Sequence, residues 1–159
     1  MIVESSVEVA VPPQVAFAVS QTTGATRLRW DPFIRRQAFL DGATAPAKGV
    51  RTLTRHRSGL RMVSEYVSYR PPTNVGMKMV EGPWFFVVMA GGWRFTPLPG
   101  GGTRAVWRYS FTCRPRWLAP VAERVGRLLL RRDIDRRIAG FARGCTDPEV
   151  LASVSEAGW

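Results

Sequence analysis

A chain of 159 residues with 45% hydrophobic and 22% charged residues has the length of one ordinary domain, and its composition excludes disordered and fibrous classes. The formal net charge of +11 is carried almost wholly by arginine, since Lys48 and Lys78 are the only lysines. The arginines are spread along the chain without aromatic–basic interleaving, so nucleic-acid binding is not expected.

Met1-Ile2-Val3-Glu4 runs straight into an alternating pattern, with no basic or apolar leader, and a cytoplasmic protein is expected. Cys113 and Cys145 fit no metal or redox spacing and read as reduced thiols. Valines at positions 7, 9 and 11 predict a first strand with one buried face, stopped by Pro12-Pro13. Pro13 suits the first turn of a short helix carrying Val15, Ala16, Phe17 and Val19; Gly24 is expected to end it, before a second helical turn to about Leu28. Trp30-Asp31-Pro32-Phe33 reads as a turn into a strand from Ile34 to Leu40.

Strands are then predicted over Val50–Arg57, Leu60–Tyr69, Val75–Val80, Trp84–Thr96 and Thr103–Cys113, with a bulge at Gly91-Gly92. After Pro115 the pattern becomes helical. Leu118, Val121, Ala122, Val125 and Leu129 share one face, whereas Leu130, Ile134, Ile138 and Phe141 share nearly the opposite one. One straight helix cannot bury both stripes against one sheet, which predicts a bend or break near Leu130–Asp133, with the second half gripping the sheet and the first half near a pocket mouth. Residues 1–144 form the predicted domain, and 145–159 a loose tail in which Pro148–Val154 can be helical. Grouped strands with helices at the ends mean an α+β fold.

Strand parity selects candidate site residues. Met62, Ser64, Tyr66, Ser68 and Arg70 share one face of the fourth strand; Trp107, Tyr109 and Phe111 share the inner face of the last; Met77 and Met79 alternate with Lys78 and point inward. Such faces either fill a core or line a cavity for an apolar ligand carrying a few oxygens. The lone histidine, His56, reads as a solvated strand-end residue, and Asp133 and Asp135 as partners of neighbouring helix arginines. No metal-ligand set or phosphate loop is present, so an enzyme built on this chain is expected to need no cofactor.

The order strand–Pro–short helix, Trp30 near a proline, Ser64-Glu65-Tyr66-Val67-Ser68-Tyr69-Arg70 before proline, Glu81-Gly82-Pro83, Trp93-Arg94-Phe95, and Trp107-X-Tyr109-X-Phe111 before Pro115 resembles the START-like polyketide cyclase/dehydrase and lipid-transport branch, in particular bacterial aromatase/cyclase domains. The resemblance implies a helix-grip fold: a curved antiparallel sheet of six or seven strands around a long C-terminal helix. It implies a cavity in which Arg70, Tyr66 and Ser68 act on a substrate, with Trp30, Gln37, Ser64, Met77, Met79, Trp84, Trp93, Trp107, Tyr109 and Phe111 around it. Gln37 stands where those domains have a cavity tyrosine, and Ser64 where they have a tryptophan. Three functions fit: a cofactor-independent polyketide cyclase/aromatase, a carrier of a lipid, quinone or similar molecule, and a regulatory or stress-related ligand-binding protein. For the carrier, Arg116, Arg124, Arg127, Arg131 and Arg132 meet an anionic membrane while Trp117 and Leu118 dip into it.

Overall fold

The computed structural model describes residues 1–115, 117 and 119–158. The alternating valines form β1 (Ile2–Val9), which buries Val3 and Val9. Helix α1 (Pro13–Ser20) starts on its proline, whose missing N–H costs nothing in a first turn, and buries Ala16 through Ser20. The chain leaves α1 at Ser20; Gly24, at φ 58°, opens α2 (Gly24–Trp30) instead of closing α1, and α2 runs past Leu28 to Trp30.

The six predicted strands are β2 (Ile34–Phe39), β3 (Arg51–His56), β4 (Arg61–Arg70), β5 (Asn74–Glu81), β6 (Phe86–Pro97) and β7 (Thr103–Cys113). With β1 they make one antiparallel sheet in the order β1-β7-β6-β5-β4-β3-β2. On β7, Ala105, Trp107, Tyr109, Phe111 and Cys113 are buried, as parity requires.

The bulge expected at Gly91-Gly92 does not form. Gly91 pairs regularly with Tyr109 and Gly92 with Arg108, and the β6 irregularity lies between Phe86 and Val88. The glycines serve close approach instead: a Cβ on Gly91 would stand 2.7 Å from the Tyr109 ring, and one on Gly92 would stand 2.3 Å from the Val75 carbonyl oxygen.

Helix α3 (Ala119–Gly144) is uninterrupted, so of the expected bend or break the break is absent. The two stripes are reconciled differently. Leu130, Ile134, Ile138 and Phe141 are buried, while Val121, Val125 and Leu129, together with Leu128, stay exposed. Gly140 and Gly144 let α3 approach α2: a Cβ on Gly140 would meet the Trp30 carbonyl oxygen at 2.1 Å, and one on Gly144 the Trp30 Cβ at 2.9 Å.

The segment after Gly144 is not a loose tail. Helix α4 (Pro148–Glu156) is capped by Asp147, which accepts from the Glu149 amide at 3.0 Å, and buries Val150 and Val154 in contact with α1 and α2. Cys145, Val150 and Val154 belong to the same core as Phe17, Trp93 and Phe141.

Candidate ligand-binding site

Half of the interior is solid. Trp93 packs on Phe141 at 4.7 Å between ring centroids and on Trp107 at 5.0 Å, and Trp30 meets Phe141 at 5.7 Å. The other half, between the β3–β4 hairpin, the β5–β6 connection and the first half of α3, is hollow. An apolar mouth of about 490 Å³ is bounded by residues such as Leu60, Phe85, Phe86, Leu129 and Leu130. Behind it lies a small inner chamber of about 40 Å³. The two share Phe33, Thr54, Met62 and Met89 as walls.

Six of the expected residues meet in the inner chamber: Gln37, Ser64, Met77, Met79, Trp107 and Tyr109. Methionine suits such a wall, because its flexible thioether adapts to the shape of an occupant. Gln37 Nε2 donates to Thr54 Oγ1 at 3.3 Å.

Four others are buried but fill solid core. Trp30 donates its indole N–H to Thr22 Oγ1 at 2.9 Å; Trp93 stacks on Phe95; Phe111 packs on Phe86; and Tyr66 turns its hydroxyl to Gln21 Oε1 at 3.4 Å. Trp84 is 70% exposed and lies outside the hollow.

Arg70 and Ser68 require a correction. The β4–β5 register shifts between Tyr66 and Ser68, leaving Val67 as an extra residue. One added residue reverses which side chains face inward. Beyond the shift it is Tyr69 that points in, packing on Tyr66 at 6.0 Å and Phe17 at 5.5 Å. Ser68 stands over Gly76 and binds Asn74, and Arg70 lies exposed in a groove on the outer face with Arg94 and Arg108. Neither reaches the hollow.

The cation in the chamber wall is Arg137, on α3. Asp31, fully buried, accepts from Arg27 Nε at 2.8 Å, lies 3.0 Å from Arg137 Nη2, and accepts the Phe33 amide at 3.0 Å. Burial alone would raise the Asp31 carboxyl; the two guanidiniums and the amide overcome it and hold the group below the ordinary carboxylate range. Arg137 lies 4.2 Å over the Trp107 ring and 5.1 Å from Phe33, donates to the Tyr109 hydroxyl at 3.4 Å, and forms part of the chamber wall. Burial pushes the Tyr109 phenol upward, so it stays protonated at neutral pH. Parity on strands could not reveal Arg137. The available signal was an arginine at helical spacing inside the stripe of Ile134, Ile138 and Phe141.

His56 does end β3 and is partly exposed, but it is not left to solvent alone. Its ring packs on Phe33 at 4.4 Å, its Nδ1 meets Ser58 Oγ at 2.6 Å, and its Nε2 lies 3.6 Å from Asp133 across the mouth. Asp135 does pair with a helix neighbour, Arg131, at 3.4 Å. Both cysteines are free and buried, and burial pushes the Cys145 thiol up to about 12. Among the described residues no group of three metal-ligating side chains occurs, and no helix is long and apolar enough to cross a membrane. Arg116 and Leu118 lie outside the described residues.

A search of curated protein sequences finds no match. Solved structures share the fold: TTHA0849 from Thermus thermophilus aligns with a TM-score of 0.73 at 14% identity, over 98% of this chain and 99% of its own. A START superfamily protein from Mycobacterium smegmatis aligns at 0.64 with 12% identity, covering 98% of both chains. Ara h 8.0201 aligns at 0.65 with 14% identity, also covering 98% of both. These neighbours establish the START-type helix-grip architecture that the sheet and α3 display. The family model for polyketide cyclase/dehydrase and lipid transport matches residues 1–145, and the chain belongs to that family.

Proposed function

We propose that this chain binds a hydrophobic small molecule in the hollow beneath α3 and works as its carrier. The observation that carries the reading is the apolar mouth of about 490 Å³ left open beside a tightly packed core. Nile red fluorescence measures it: the dye should brighten on binding, Met62→Trp should fill the hollow and remove the signal, and Arg70→Ala should bind as before. Absence of dye uptake by the folded protein overturns the reading.

The rim supports loading at an anionic bilayer. Trp117 is 78% exposed, Val121, Val125, Leu128 and Leu129 are exposed along α3, and Arg124, Arg127, Arg131 and Arg132 are exposed on the same half of the helix. Aromatic and aliphatic groups insert at an interface while arginines meet lipid phosphates. Co-sedimentation with phosphatidylglycerol vesicles should occur at low salt, weaken at 0.5 M salt, and fall at least fivefold in the pair Trp117→Ser, Leu128→Ser.

Cyclisation of a bound polyketide is the second reading, favoured by the protonated Tyr109 hydroxyl beside Arg137 in the chamber wall. The roles foreseen for Arg70 and Ser68 have no place in it.

A further inference from the structure

The inner chamber has polar side chains in its wall, among them Arg137, which belongs to a buried charge cluster that is out of balance. Arg27 and Arg137 pair with Asp31, and among the described residues neither pairs with a second carboxylate, so two positive charges stand against one negative. Both arginines are buried, Arg137 with 5% of its surface exposed. A guanidinium keeps its charge at physiological pH, and an uncompensated buried charge is costly. The rings of Trp107 and Phe33 soften that cost through their faces but carry no formal charge.

Donors are also left over. Among the described residues Arg137 Nε is buried with no acceptor, and Trp107 Nε1, near the Tyr109 hydroxyl, is buried without a hydrogen bond of good geometry. Arg137, Trp107 and Tyr109 all line the chamber, and no described carboxylate lines it. Buried donors without acceptors are rare in folded proteins, which makes two in one wall informative.

Size narrows the occupant. A volume of about 40 Å³ holds roughly three water-sized groups, the bulk of a carboxylate and too little for a ring. The apolar mouth shares walls with the chamber and has space for a chain or ring system.

From these observations we infer that Arg137, with Trp107 and Tyr109, forms a carboxylate-binding subsite, so that the ligand is a hydrophobic acid lying head-down with its body in the mouth. The inference rests on the binding function proposed above and names the ligand class. The carboxylate supplies the missing negative charge and accepts the idle N–H groups, a charge-assisted arrangement that water or an alcohol does not match.

Displacement of Nile red by dodecanoate and by dodecan-1-ol at pH 7.5 tests it, since the two share chain length and differ in the head group. The acid should bind at least tenfold more tightly. Arg137→Gln should bring it down to the alcohol's affinity, whereas Arg108→Gln, on the outer sheet face, removes the same net charge and should keep the preference. Equal affinities in the unmodified protein, or a preference that survives Arg137→Gln, overturn the subsite while leaving the hollow in place. Failure of dye and both lipids to bind overturns the binding function itself. Should Arg137→Gln not fold, the Trp107 indole N–H resonance, identified by its loss in Trp107→Phe, decides: it must shift with dodecanoate and not with dodecan-1-ol, and an unmoved resonance ends the proposal.

Discussion

Asp31 joins three parts of the molecule through one carboxylate. It sits just past α2, takes Arg27 from the same helix and Arg137 from α3, and receives the Phe33 amide that begins the approach to β2. Removing its charge leaves two buried guanidiniums without a counter-ion, a change that costs about 3–5 kcal/mol. Asp31→Asn should therefore lower the melting temperature by roughly 6–20 °C, read by calorimetry, for a protein of this size. The pH dependence has a defined sign. The folded carboxyl titrates below its unfolded value, so its contribution is fully present above an unfolded pKa of about 3.9 and is lost as pH falls through the lower folded value. Unfolding midpoints measured from pH 6 to pH 2 should decline below about pH 4, and less steeply in Asp31→Asn.

At the level of elements, the depth to which α3 docks is set by two glycines one turn apart. Gly140 and Gly144 have the Trp30 backbone and Cβ as neighbours, closer than any side chain tolerates. Backbone cannot yield as a flexible side chain does, so Gly140→Ala should cost about 1–3 kcal/mol despite the higher helix propensity of alanine. A urea midpoint unchanged or raised would show that α3 slides without penalty. The same helix divides its labour along its length. Its second half closes the core with Ile134, Ile138 and Phe141, and its first half roofs the hollow through Gly126, Leu129 and Leu130 while presenting Val121, Val125 and Leu128 to the outside. An apolar stripe left in water is informative when it borders a cavity mouth.

Over the whole molecule, α4 belongs to the fold. Val150 and Val154 are buried, and each fully buried valine contributes about 1.5–2 kcal/mol. Ending the chain at residue 146 should cost about 3 kcal/mol in denaturant unfolding, with Nile red uptake retained at low denaturant because α4 lies away from the hollow. The chain order of the strands, their approximate limits, the buried face of β7 and the α+β class were all legible in the amino-acid sequence, because alternation, proline breaks and turn residues are local signals; the helix-grip class came from the family resemblance. The inward placement of Met77, Met79, Trp107 and Tyr109 was legible too, since each lies on a stretch of strand with undisturbed parity, whereas Gln37 was marked by the family resemblance and Ser64 sits beside a register shift. Other features needed the packed chain. The extra residue at Val67 reversed β4 and sent Arg70 outward, a change of face that no reading of alternation detects without the partner strand. Whether aromatic residues filled core or lined space depended on where α3 lay across the sheet. The pairing of Arg137 with Asp31, which supplies the cation in the chamber wall, joins residues far apart in the chain and exists only because α2 and α3 are packed together through glycine.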